Sequence, residues 1–292
     1  MKEKKRYLAT YLLLAFGICW GILAVYFIFN DTLKTIFGEL TLANPLVMIA
    51  LYAPTLSGLI VYFMQGGAKG VKGVLGRLIP RKKDLWWFPF LFVIALLFYA
   101  VMHYGSKILG FEVPDNDFTL AEMVREAFIN LFEETGLIGG AFGWVGFLLP
   151  YLQTKFKDNK IPALLTGFAF GFFVLPGYVV SSFETATLYP FYVAQLMAFM
   201  LFFSYIFNAT EGSILMFIYT FWLIASGSRL KLYYFDPKVQ ILQLVFFCIL
   251  SVMMYQLAKK GIIEQKLQLF PDYIYQKQSE KGEQPIEKEE VV

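Results

Sequence analysis

The sequence has one histidine and two cysteines in 292 residues, and only 16% of them are charged. Each shortage closes off a class of chemistry. A zinc site takes three or four Cys, His or carboxylate ligands, and His103 has no clustered partner with which to build a histidine-based one. Serine-histidine and cysteine-histidine nucleophile schemes fail for the same reason. Cys19 and Cys248 lie far apart in apolar runs without CxxC spacing, so both read as reduced core cysteines. No metal and no cofactor is expected. The net charge of +3 does not read as a nucleic-acid footprint, because the basic residues fall on the connections between apolar runs.

Apolar and aromatic residues fill the space that charge leaves. Hydrophobic residues make up 58% of the chain and aromatics 19%, with a mean hydropathy of +0.58. An ordinary soluble domain is about half apolar and about a quarter charged. The composition therefore predicts an all-α polytopic membrane bundle, and spans of roughly 20 residues can be placed at 7–29, 42–64, 86–104, 126–151, 161–180, 188–207, 212–226 and 240–258. That gives about eight transmembrane helices, the seventh being the shortest. The first span follows Lys2, Lys4, Lys5 and Arg6, exceeds the apolar core of a signal peptide and lacks a small-residue cleavage site, so it reads as retained.

With eight spans, every lysine and arginine except Lys34, Lys107, Arg125, Arg229, Lys231 and Lys238 falls on one side. The positive-inside rule makes that side the cytosol and puts both termini there, in an integral protein of the cell membrane. Two parts are expected: a membrane domain over 1–263, and a charged, flexible cytoplasmic tail over 264–292 that is too poor in apolar residues to order itself. The stretch Gly66-Gly67-Ala68-Lys69-Gly70-Val71-Lys72-Gly73 lacks the context of a phosphate loop and reads as a basic cytosolic loop facing lipid headgroups.

Ionisable groups inside a span are costly and are functional candidates by default. Every aspartate lies in a predicted loop or tail, which argues against an intramembrane aspartyl dyad. His103, near the outer end of the third span, reads as an interfacial side chain. Glu133 and Glu134, within the fourth, are the exceptions and the only catalytic candidates. Burial raises a carboxyl pKa towards the working range of a general base, although neighbouring helical residues point about 100° apart and at most one faces a given site. Upstream, Thr119-Leu120-Ala121-Glu122 fits a capping box that would start this helix near Leu120. Downstream, Gly136, Gly139, Gly140, Gly143 and Gly146 recur three or four apart, a seam on which helix backbones pack closely.

Several phrases of the chain resemble the CPBP intramembrane proteases, also called the CAAX prenyl protease 2 or Abi type, which include bacteriocin self-immunity proteins. They are Leu51-Tyr52-Ala53-Pro54-Thr55-Leu56-Ser57-Gly58, Arg77-Leu78-Ile79-Pro80 leading to Trp86-Trp87, Gly143-Trp144-Val145-Gly146-Phe147-Leu148-Leu149-Pro150-Tyr151-Leu152-Gln153, Phe170-Gly171-Phe172-Phe173-Val174-Leu175-Pro176, and Asn208-Ala209-Thr210-Glu211-Gly212-Ser213-Ile214-Leu215. Together they span roughly residues 7 to 258. The resemblance implies that family's fold, and an endopeptidase that activates water with a glutamate and histidines to cut classically after a prenylated cysteine.

The chain departs from the family's EExxxR, second-motif histidine, and third-motif histidine and asparagine. Aligned without gaps, these positions hold Gly140, Ala141, Val145, Val174, Phe221 and Ala225. Glu133 lies seven residues from Gly140, on much the same face but about 10 Å along the helix. Two readings stay open. One is a catalytically degenerate family member that binds membrane lipid and a transmembrane or prenylated protein partner. The other is an active CAAX-type endopeptidase using Glu133 and Glu134.

Overall fold

The computed structural model describes residues 2–41, 44–133, 138–180, 188–234 and 236–275. Among them there is no strand. The α-helices are α1 (Lys2–Ile28), α2 (Asn30–Phe37), α3 (Pro45–Leu75), α4 (Trp87–Ile108), α5 (Leu120–Glu133), α6 (Ile138–Gly143), α7 (Leu149–Phe156), α8 (Lys160–Phe173), α9 (Leu175–Val180), α10 (Tyr189–Ala209), α11 (Ile214–Arg229) and α12 (Pro237–Lys259). Five of these, α1, α3, α4, α10 and α12, are long and apolar enough to cross a membrane, while α8 and α11 are apolar but shorter. Large apolar side chains such as Leu13, Phe63, Val93, Leu96 and Ile249 cover the outside of the bundle, as a lipid solvent requires. The chain is an all-helical integral membrane protein.

The capping box forms as its residues predict. The Thr119 amide donates to Glu122 Oε2 at 2.8 Å, the Glu122 amide donates to Thr119 Oγ1 at 3.3 Å, and α5 begins at Leu120. The glycine seam also forms. A Cβ on Gly143 would lie 2.3 Å from the Pro54 carbonyl oxygen, and one on Gly58 would lie 2.6 Å from the Phe142 carbonyl oxygen. The backbones of α3 and α6 meet where any larger residue would hold them apart. Gly136 lies outside the described residues.

Four expectations need correction. The fourth apolar stretch is not one α-helix, because Trp144–Leu148 adopts π geometry between α6 and α7. The glycine-rich stretch is not a loop: α3 runs on to Leu75 past a kink, with Gly67 at φ 58° in the left-handed region that glycine tolerates. Only Cys19 is buried, Cys248 being exposed on α12. Finally, residues 264–275 do not behave as a solvated tail, since Gln268, Phe270, Tyr273 and Ile274 are all buried. The rings of Phe270 and Tyr273 pack on the bundle and Gln265 Nε2 donates to the Tyr205 carbonyl at 3.0 Å, contacts that the charge of the surrounding sequence conceals. Residues 276–292 of the expected tail lie outside the described residues.

The π segment explains why the C-terminal chain returns. In α register the Gly146 carbonyl would accept from residue 150, but Pro150 has no N–H to give. A buried carbonyl needs a partner. Here the hydroxyls of Tyr62, on α3, and Tyr273, in the returning segment, both donate to it, and the two hydroxyls lie 3.2 Å apart. Phe270, three residues before Tyr273, packs its ring among Tyr7, Tyr62, Phe147 and Tyr151, and its amide donates to Thr154 Oγ1 at 2.8 Å.

Replacing Tyr62 or Tyr273 singly with phenylalanine leaves the carbonyl one donor, so each should cost about 1 kcal/mol of stability. The double variant leaves it bare, and should lose roughly 1–3 kcal/mol beyond the sum of the two. Thermal unfolding of the four proteins in one detergent measures the coupling, and strict additivity would refute the shared-acceptor account.

Candidate functional site

The two carboxylates singled out from the sequence stand differently. Glu133 is the last residue of α5, and Glu134 lies outside the described residues. The helix that carries Glu133 is held on two sides. Asn130 is buried and donates to Ser226 Oγ at 3.2 Å, Trp222 Nε1 donates to the Ala127 carbonyl at 2.6 Å, and Tyr52 donates to the Phe132 carbonyl at 3.1 Å. Seven residues before Glu133, Glu126 pairs with Arg125 and Arg229 at 2.8 and 3.0 Å. His103 sits at the same end of the bundle, its Nδ1 3.1 Å from the Leu232 carbonyl oxygen. Among the described residues no group of three or more His, Cys, Asp and Glu side chains is placed to hold a metal.

The positions that align with the polar motifs lie in or beside an apolar interior. Gly140, Ala141 and Val145 are buried. Between them, Trp144 stacks on Phe170 with ring centres 5.4 Å apart and meets Phe173 edge-on at 5.5 Å. Phe170 in turn faces Phe221 at 5.9 Å. Phe221 also contacts Phe199 at 5.4 Å and Phe217 at 5.7 Å. Rings at these separations fill space and attract one another through their quadrupoles. The rings carry no carboxylate or imidazole to act as a general base, and the one polar atom they bring into the layer, Trp144 Nε1, is buried without a hydrogen-bond partner among the described residues.

A polar assembly gathers instead at the end of the bundle that carries the C-terminal segment. Arg77 follows α3 in the short 3-10 turn Gly76–Leu78 and is 2% exposed. Its Nη1 donates to the Glu211 carbonyl at 2.7 Å, and its guanidinium carbon lies 5.0 Å from the Tyr273 ring centre. Burial pushes the Tyr273 hydroxyl up to about 12, so it stays a neutral donor. Arg81 reaches the same turn with more contacts: Nη1 to Glu211 Oε2 at 2.5 Å, and Nη2 to the Thr210 and Glu211 carbonyls at 2.6 and 3.0 Å. Lys83 also pairs with the Glu211 carboxylate. Glu211 itself has φ 47°, a left-handed conformation that costs a non-glycine residue about 1–3 kcal/mol.

Burial acts to raise the Glu211 pKa, but hydrogen bonding to Lys83 and the charges of Lys83, Arg81 and Lys266 outweigh it, so the group lies below its ordinary range. A carboxylate held in this way is a fixed acceptor and a poor base. Its role is to clamp the α10–α11 turn to the α3–α4 connection. Beside the clamp runs a buried amide network: Gln153 Nε2 donates to Asn159 Oδ1 at 3.1 Å and to Asn208 Oδ1 at 3.0 Å, while the Gln268 amide donates to Gln153 Oε1 at 2.8 Å. Sequence reasoning missed both assemblies. The available signals were a lone glutamate where a helix-ending turn favours glycine, and arginines four residues apart at 77 and 81.

No protein-family model matches the chain, and no curated protein matches it.

Replacing Glu211 with glutamine should lower stability by about 1.5–3 kcal/mol at pH 7, the scale of a hydrogen bond to a charged group. Because the folded-state pKa is depressed, this contribution is complete above the unfolded value, near 4.3, and is lost as pH falls through the folded value. The melting curves of the two proteins should therefore converge on acidification, and a gap that persisted undiminished at low pH would exclude the ionic clamp.

Proposed function

We propose that this chain is a CPBP-like, CAAX prenyl protease 2-type membrane protein that no longer hydrolyses peptides and acts by binding a transmembrane or lipid-modified partner. The observation that carries the proposal is the ring packing of Trp144, Phe170, Phe199, Phe217 and Phe221, beside the positions where that family holds its glutamates, histidines and asparagine. Enclosed aromatic surface suits a scaffold whose work is done on its outside. Eight passes through the cell membrane, with both termini in the cytosol, complete the reading. The distribution of basic residues supports it, and so does the position of Tyr7, Arg77, Glu211 and Tyr273 at one end of the bundle, joined by the contacts among Tyr7, Phe270, Tyr62 and Tyr273 and by those of Arg77.

The test is cleavage of a farnesylated CAAX peptide by the purified protein in lipid, beside the Glu133→Gln, Glu134→Gln double variant. The expected result is no product from either above the protein-free control, with both eluting as folded, monodisperse species. Product formed by the native chain and abolished in the double variant would overturn the proposal and assign general-base chemistry to those carboxylates.

A further inference from the structure

A groove of about 460 Å³ opens between α8, α10 and α12, on the lipid-facing side of the bundle. Its volume is within the range of small-molecule sites, roughly 300–1,000 Å³. Along α10 it runs from Ala194 to Tyr205, and along α12 from Leu244 to Tyr255. Eleven residues of helix rise about 16 Å, close to the roughly 15 Å that one leaflet contributes to a hydrocarbon core of about 30 Å. The walls are almost wholly apolar over that length, with Cys248 and Ser251 midway.

One end is different. Lys160 opens α8 at the groove mouth, and its ammonium lies 4.3 Å from the centre of the Tyr255 ring. Tyr205 lines the same end. Tyrosines and a lysine at one level mark a membrane–water interface. Lys259 follows Tyr255 by four residues, which places it on the same face of α12 one turn further out. Asp158, the acidic residue nearest Lys160 in sequence, accepts hydrogen bonds from the Lys160 and Ile161 amides at 3.1 and 3.0 Å. Among the described residues no carboxylate forms a salt bridge with the Lys160 ammonium.

We propose that this groove binds one anionic phospholipid, its acyl chain lying against α10 and α12 and its phosphate meeting Lys160 and Lys259. Length favours this occupant, because the apolar channel matches one leaflet and stops where the cations begin. Charge favours it as well, since a neutral chain or a packed helix leaves those ammonium groups without an anion. The site is on the outer surface and is independent of whether the aromatic interior has lost its chemistry.

The experiment uses the full chain in phosphatidylcholine vesicles doped with phosphatidylglycerol or phosphatidylcholine that carries a photoreactive diazirine at mid-chain, with adducts located by mass spectrometry. Adducts should concentrate between Leu244 and Ser251 and between Ala194 and Leu201, with phosphatidylglycerol labelling above phosphatidylcholine by at least about fivefold, the scale of one lysine near an anionic surface. The Lys160→Gln, Lys259→Gln double variant, whose changes are both on exposed residues, should erase the headgroup preference while retaining the chain adducts. Equal labelling by the two lipids would overturn the proposal, as would adducts spread evenly onto outward residues such as Val93 and Leu96. A Cys248–Cys248 crosslink between two chains, with the groove left unlabelled by both lipids, would overturn it in favour of a second copy.

Discussion

The structure depends on the contact of two backbones. Pro54 and Gly58 of α3 meet Phe142 and Gly143 at the end of α6 with no room for a side chain between them. In lipid there is little hydrophobic drive to join helices, so close van der Waals packing must supply it. Glycine at 143 and 58 makes that packing possible. Thr55 bridges the same contact, donating to the Ile138 carbonyl at 2.6 Å and accepting from the Phe142 amide at 3.3 Å. Once α6 is seated, Trp144 is carried into the middle of the bundle and Gly146 is carried to Tyr62.

The returning C-terminal segment depends on that placement. Pro150 leaves the Gly146 carbonyl short of a donor, and Tyr62 alone supplies one hydroxyl. The second comes from Tyr273, 127 residues away in sequence, which also gives its ring to Arg77. Arg77 tolerates its burial because it meets an aromatic face and a carbonyl rather than bare hydrocarbon. Arg81 and Lys83 then secure the turn that contains Glu211. A steric contact between two helices is thus linked through one carbonyl and one aromatic ring to an ionic clamp at the bundle's end.

That arrangement separates the molecule into regions suited to different tasks. The interior near Trp144 and Phe221 is closed and aromatic, whereas the end near Arg77 is polar, with the Glu211 carboxylate paired to Arg81 and Lys83. The outer surface keeps the features that can still engage something else: broad apolar helix faces, and a groove with cations at one end.

Much of the fold was legible without coordinates because membrane helices are written in contiguous residues. Hydropathy located the helical stretches, Thr119 and Glu122 marked where α5 starts, and the three-to-four spacing of Gly139, Gly143 and Gly146 marked the packed face. Each of these signals is local, or periodic along one helix. The rest depended on residues far apart in the chain. The burial of Phe270 and Tyr273 inside a charged stretch required receptors on α3 and α7, and the neutralisation of Glu211 required cations about 130 positions earlier. The groove exists only because α8, α10 and α12 leave space between them. By itself the sequence determined that this chain lives in a membrane as packed helices, since transfer energy and backbone pairing are additive along a segment. Only the tertiary structure decided which polar groups are matched and where the surface opens, because pairing and cavity shape arise between segments.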